Sequence, residues 1–217
     1  MVERSQKTYD SFLRDARPVL IRFYGWVRAE EIIRDTEPIY ERFLSETPYI
    51  GGKCNLLSQN IDIALPFFAL YEASGRTMTE AMANEIFDII FGRYRSVGKF
   101  VDLNRLDRPW LTKLFHGMVA KMAVKINANK GGAWNNTWGV QVNPEGHDHG
   151  LAFTLVGCPL ADFAKAHGYG EIMPWLCSTD ERTAALMHAR LIRHHTVAQG
   201  YDTCDYWYVG DKDSRAR

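Results

Sequence analysis

The hydrophobic pattern changes period near residue 130, and that change commits the chain to a fold that keeps helices and strands in separate stretches. Before it, apolar residues recur every three or four positions: Phe12, Leu13, Ala16, Leu20, Phe23, Trp26 and Val27, then Ile32, Ile33, Ile39 and Phe43. This is the spacing of helices that bury one face. Pro18 and the stretch 36–38 interrupt it, so residues 8–46 predict either one long helix or two shorter ones. Residues 56–73 are apolar enough to be buried. Residues 78–95 give the clearest helix. Thr77 and Glu80 fit a capping box, and Met82, Ile86, Ile89, Ile90 and Tyr94 follow at helical spacing. A further helix is expected from about Arg108 to Val124.

After Asn127, turn signals appear at Lys130-Gly-Gly and Asn143-Pro-Glu-Gly146. The segments 134–142 and 150–160 predict an antiparallel hairpin. Residues 162–176 predict one or two short helices, interrupted at 168–170 and at Pro174. Residues 184–198 predict a strand, followed by a turn over 199–202 and a returning strand over 203–209. The polar tail from Gly210 to Arg217 is expected to fray. The fold class is therefore α+β. A helical N-terminal half, about 1–127, packs on a small antiparallel sheet of about four strands in the C-terminal half, about 128–210, as one domain.

A chain of 217 residues buries about 70% of its unfolded surface and needs no staples to fold. Lys plus Arg equals Asp plus Glu, at 26 each, so the overall charge makes no case for nucleic acid or for an anionic membrane. The N-terminal Met-Val-Glu-Arg-Ser-Gln-Lys lacks the apolar core of a secretory signal. No apolar run reaches membrane-spanning length. A cytoplasmic protein is expected, with a small-molecule substrate, no nucleic acid or membrane partner, and homo-oligomerisation left open. The cysteines are Cys54, Cys158, Cys177 and Cys204. Without a secretion signal they are expected reduced, and they lack the C-x-x-C pairs of a structural zinc site.

Three of those cysteines fall in the last sixty residues, and candidate chemistry gathers there. Cys177 and Asp180 would lie close if the segment turns. A thiol is nucleophilic only as thiolate, however, and a carboxylate alone raises its pKa, so a histidine or arginine from elsewhere is required. As a buried cysteine and a helix cap, the same pair would be purely structural. On the expected strand over 184–198, Arg193 and His195 share a face with Ala185, Met187, Ala189, Leu191 and Val197, whereas His194 and Thr196 point the other way. Titratable groups on an apolar face pair with each other or line a pocket, and either histidine could shuttle protons. A solvated strand end is the plainer reading. Cys204 and Asp205 are neighbours on the returning strand and face opposite ways unless it bends. His147 and His149 are metal-capable, but no third ligand is fixed by spacing, so neither a metal nor another cofactor is expected. Trp138 could frame a ligand. No phosphate-binding glycine loop occurs.

In order, the chain carries Val156-Gly-Cys158-Pro-Leu-Ala-Asp162, Pro174-Trp-Leu-Cys177-Ser-Thr-Asp180, Arg193-His-His-Thr196-Val-Ala-Gln-Gly200 and Cys204-Asp205-Tyr206. These segments resemble the signature of the L-2-amino-thiazoline-4-carboxylic acid hydrolase family: a Cys-Pro after a strand, a Cys-x-x-Asp after a helix, an Arg-x-x-Thr with Gly four beyond the Thr, and a late Cys-Asp-Phe. Tyr206 stands where the pattern has Phe, a change expected to be mild. The resemblance implies a hydrolase that opens a cyclic C–N bond in a thiazoline, amidine or lactam-like ring by cysteine-dependent chemistry. It brings forward Cys177 as nucleophile and Asp180 as acid/base, with Cys204 and Asp205 also catalytic and Cys158 and Cys204 as pocket partners or rival nucleophiles; His195 joins the catalytic set from its place on the apolar face. Arg193, Thr196, Cys158, His194 and Trp138 would then bind substrate. The strand–turn–strand ending in a late cysteine also resembles the ligand-binding V4R domains, which implies a non-catalytic small-ligand-binding or sensor domain as the alternative.

Overall fold

The computed structural model describes residues 6–215. The reading of the N-terminal leader falls largely on residues 1–5, and the last part of the tail on 216–217; both lie outside the described residues. The observed class is α+β, with most helices in the N-terminal part and an antiparallel four-stranded sheet in the C-terminal half. The described residues form two compact units, one running to Ile90 and including Phe163–Leu176, the other comprising Phe91–Asp162 and the chain from Cys177 onward.

In the first unit, α1 (Gln6–Tyr24) and α2 (Trp26–Glu46) are separate helices. The break does not fall at the prolines. Pro18 and Pro38 both sit inside helices, and Gly25 between them takes φ 77°, a left-handed conformation that costs glycine least. Tyr9, Phe12, Ala16 and Leu20 face inward along one stripe of α1, and the Tyr9 ring stacks on Tyr40 of α2 at 4.4 Å. The next helix, α3 (Gln59–Ala73), is buried almost all round, as a core helix should be. Its successor, α4 (Glu80–Gly92), is shorter than expected. The cap is Thr79, whose hydroxyl accepts from the Met82 N–H. The expected capping-box residue Thr77 instead donates its hydroxyl to the Ser74 carbonyl.

The second unit is built on the sheet. Strands β1 (Gly139–Val142), β2 (Leu151–Val156), β3 (Ala189–Ile192) and β4 (Thr203–Gly210) lie in the order β1-β2-β4-β3, every pair antiparallel. Both expected hairpins form; β1, β2 and β3 are shorter than expected, and β4 runs one residue further, to Gly210. Helix α5 (Pro109–Asn129) runs beside β1, where the Asn127 side chain accepts from the Val140 N–H and donates to the Val140 carbonyl, at 2.8 and 2.7 Å. This amide completes hydrogen bonds that an edge strand would leave open.

Three further helices connect the strands: α6 (Pro159–His167), α7 (Met173–Cys177) and α8 (Thr179–Leu186). Pro174 does not interrupt; it occupies the first turn of α7, where a missing N–H leaves no bond unmade. Residues 184–186, expected in a strand, close α8, and residues 193–196 leave the sheet altogether. Alanine at 184 and 185 favours helix, and an apolar run this short does not distinguish the two periods.

The tail does not fray as far as Arg215. Asn104 holds both the Asp211 carboxylate and the Lys212 N–H, and Arg190 donates to the Asp213 carbonyl. Among the described residues no helix is long and apolar enough to cross a membrane.

Gly150 sets the entry into β2. It has φ 73°, and an added Cβ would lie 2.5 Å from the Tyr208 carbonyl oxygen. Gly150→Ala should therefore lower stability by about 3 kcal/mol or more, since backbone must move. Gly25→Ala also has a positive φ, with ψ 162°, a region nearly reserved for glycine, but meets nothing within 4 Å, and should cost about 2 kcal/mol. Urea unfolding midpoints of the two variants check the contrast; equal losses would refute it.

Candidate active site

Alternation along β4 decides what can meet. Cys204, Tyr206 and Tyr208 face one side of the sheet, and Thr203, Asp205 and Trp207 the other. The predicted site residues divide accordingly into two clusters.

The first cluster gathers the thiols. Cys177 ends α7 and Asp180 lies in the first turn of α8, so the two short helices make the turn that brings the pair together. Arg193, just beyond β3, reaches both: one guanidinium nitrogen donates to the Asp180 carboxylate at 2.6 Å, and the other to the Cys177 carbonyl at 3.0 Å. The Tyr206 hydroxyl donates to the same Asp180 oxygen at 3.1 Å, and Arg193 sits over the Tyr206 ring. Tyr206 is thus no mild replacement for phenylalanine. Its position two residues after Cys204 was the available signal, because β-alternation puts both on one face.

Burial raises the Asp180 carboxyl above its ordinary range, against the opposing pull of Arg193 and Tyr206. Burial and the nearby Asp180 charge push the Cys177 thiol up to about 12. Burial likewise raises Cys158 to about 11, although its sulfur accepts from the Leu160 and Ala161 N–H groups at the start of α6 and from the Trp138 indole. Burial also raises Cys204, whose sulfur accepts from the Val197 N–H at 3.2 Å. The thiols feel one another electrostatically. All three are therefore protonated at neutral pH, as cysteines in apolar surroundings are expected to be. Lys130 was read only as part of a turn. Its ammonium donates to the Val156 carbonyl beside the Cys158 turn, with its pKa lowered by burial against the pull of Asp162.

The second cluster lies on the other face. The Asp205 carboxylate accepts from the backbone N–H groups of His194 and His195, and meets the ring Nδ1 of His194 at 2.9 Å and of His195 at 3.3 Å. His195 also meets the Thr203 hydroxyl through Nε2. Neither histidine is hydrogen-bonded to Cys177 or Asp180; of the histidine or arginine expected beside that pair, Arg193 is the one that reaches it. Thr196 accepts from the Gln199 N–H and donates to the Gln199 amide oxygen, which caps a short turn. A shallow pocket here is lined by Asp205, His194, His147, Thr154 and Trp207. His147 stacks on Trp207 at 3.9 Å and pairs with Glu145, while His149 pairs with Asp148. Among the described residues no group of three or more His, Cys, Asp or Glu side chains is placed to hold a metal ion.

A family model described as L-2-amino-thiazoline-4-carboxylic acid hydrolase matches residues 59–208, more than half of the chain. The chain belongs to this family. Both clusters lie within the matched region, and the family's name is that of a hydrolase of a thiazoline carboxylic acid. Neither the curated proteins nor the solved structures contain a significant match to the chain.

The hydrogen bonds to Asp205 hold its carboxyl below the usual range, against the effect of burial. A depressed folded-state pKa adds stability that is present above the unfolded value of about 3.9 and lost as pH falls through the folded value. Asp205→Asn should therefore cost about 2 kcal/mol at pH 7, the scale of hydrogen bonds to a charged group. The cost should shrink as pH drops below about 4. Chemical unfolding of the two proteins at pH 7 and pH 3 tests this; a pH-independent difference would contradict it.

Proposed function

We propose that this protein is a hydrolase that opens a small cyclic C–N bond in a thiazoline, amidine or lactam-like ring, with Cys177 as nucleophile and Asp180 as the proton-transfer group. The observation that carries the reading is the raised, buried Asp180 carboxyl, held by Arg193 and Tyr206 beside a cysteine. Carboxyls tuned upward by burial are suited to moving protons near neutral pH. Membership of the family supplies the substrate class.

In this reading the Cys177 sulfur bonds to the ring carbon that lies between nitrogen and sulfur, as its proton passes to Asp180. The ring C–N bond then breaks, and the departing nitrogen takes that proton. Water adds to the same carbon and expels the Cys177 sulfur, which regains a proton. The net change is substrate plus water to ring-opened product. Arg193 has both guanidinium edges engaged by Asp180 and the Cys177 carbonyl. Its part is therefore to position the acid and soften its charge, rather than to grip a substrate carboxylate. Cys158 and Trp138 line the sulfur side of this cluster. The chemistry asked of these residues requires no metal or organic cofactor.

One observation favours the alternative of a non-catalytic ligand-binding domain: burial keeps all three thiols protonated. Turnover separates the two. Incubation with 2-aminothiazoline-4-carboxylate, a hydantoin and a lactam should give ring opening of at least one, followed by loss of ring absorbance and by the mass of the product, one water heavier than the substrate. Cys177→Ser should lower kcat by about 10³-fold or more, and Asp180→Asn by 10²- to 10⁴-fold, roughly the range of lost nucleophilic and acid–base catalysis. Tyr206→Phe should cost only about tenfold, one hydrogen bond. Binding without turnover, or full activity in Cys177→Ser, would rule the cysteine mechanism out.

The thiol itself offers a second check. In a Cys54→Ser background, iodoacetamide labelling of Cys177, read by peptide mass, should still accelerate above pH 10, since the thiol lies near 12. A plateau near the ordinary cysteine value of about 8.5 would show that burial does not govern it.

A further inference from the structure

The equal totals of acidic and basic residues conceal a local separation of charge. Between Arg105 and Lys125 the chain carries the cations Arg105, Arg108, Lys113, Lys121 and Lys125, and a single acid, Asp107. Helix α5 itself has no acidic residue in its 21 positions. At 100° per residue, Trp110, Lys113, Leu114, Met118, Lys121, Val124 and Lys125 fall within one arc of about 140°, and all of them are exposed. An ordinary surface helix turns polar side chains to water. This one turns out Trp110, Leu114, Met118 and Val124, at 63%, 53%, 59% and 70% exposure. Phe100, at 86%, and Trp110 border an apolar cleft next to the first turn of α5, with Arg105 and Arg108 also on its walls.

We infer that the exposed face of α5 is a docking surface for an anionic lipid bilayer. Three considerations choose this occupant. Large apolar side chains interleaved with lysines along one stripe suit the interfacial region, where the lysine stems lie along the acyl boundary and the ammonium groups reach the headgroups. Trp110 and Phe100 stand together at one end, as aromatic anchors do at membrane interfaces. Finally, a second copy of α5 laid on this stripe would bring Lys113, Lys121 and Lys125 against their own counterparts with no acid on either helix to offset them. The association is peripheral, since no described helix can span a bilayer. Each cation near an anionic surface strengthens attachment by about fivefold, and added salt weakens it.

Flotation of the full chain with phosphatidylcholine vesicles, with and without phosphatidylglycerol, tests the inference. Partitioning should be at least about tenfold stronger onto the anionic vesicles and should fall away as salt is raised. The double variant Lys113→Glu/Lys121→Glu should lose about 25-fold or more, and Leu114→Ser/Met118→Ser several-fold, with circular dichroism and thermal midpoint unchanged because these side chains are exposed. Equal recovery with both vesicle types would overturn the inference, as would undiminished binding by the lysine variant. So would vesicle-independent self-association, seen by light scattering and abolished by the same substitutions.

Discussion

The ion pair between Arg193 and Asp180 holds the candidate site together. A half-buried carboxylate such as Asp180 loses part of its hydration, and close countercharge and hydrogen bonds offset that loss. Arg193 supplies both, and the same guanidinium donates to the Cys177 carbonyl and lies over the Tyr206 ring. One side chain therefore joins the end of α7, the first turn of α8, the exit from β3 and the middle of β4. Removing it would take the countercharge from Asp180 and leave the Tyr206 hydroxyl on its carboxylate. It would also take away the cation that opposes burial at Cys177 and Cys204. The geometry and the electrostatics of the thiols thus depend on the same contact.

The sheet keeps this cluster apart from the histidines. Because side chains alternate along β4, Cys204 and Asp205 cannot serve one pocket while the strand stays regular, and it does, pairing with β2 without interruption from Thr203 to Tyr208. Asp205 consequently works on the far face. Its carboxylate gathers the N–H groups of His194 and His195 where the chain leaves β3, and it shapes the same loop that carries Arg193. The two clusters are linked through that loop: Asp205 fixes the backbone immediately after Arg193, and Arg193 fixes Asp180. The histidine face can thereby influence the cysteines through the position of one arginine.

What the sequence disclosed followed from periodicity, and what it withheld followed from its ambiguities. The change of period near residue 130 anticipated the helical part and both hairpins. The β-alternation rule correctly separated Cys204 from Asp205. It failed at residues 184–198, where alanines and β-branched residues satisfy either period and tertiary packing divides the segment between α8, β3 and a loop. Consequently Arg193 and His195, expected on one strand face, make their contacts on opposite sides. The prolines misled because a helix tolerates one lost bond when both flanks are packed, whereas Gly25, with its positive φ, does not stand out in the sequence. Tyr206 looked incidental because its partner, Asp180, is 26 residues distant. Net charge is a sum over the chain and does not report that α5 holds three lysines and no acid.

The raised thiols bear directly on the proposed chemistry. The field at Cys177 is set by burial and by Asp180, both of which disfavour a thiolate, with Arg193 opposing them. Among the described residues no histidine is hydrogen-bonded to Cys177, so in the proposed chemistry a cation brought by the ligand would add to the pull of Arg193 on the sulfur. Cyclic amidines can bring it. Protonated, such a ring places positive charge at the carbon to be attacked, and a cation within about 4–6 Å of a thiol or carboxyl favours its ionised form. Binding would then lower Cys177 and Asp180 together, at the moment a nucleophile and a proton acceptor are both needed. A neutral lactam would bring no such charge and would meet a protonated thiol. The same electrostatics that leave the resting site unreactive would thus select for basic heterocycles over neutral ones, without any contact dedicated to telling them apart.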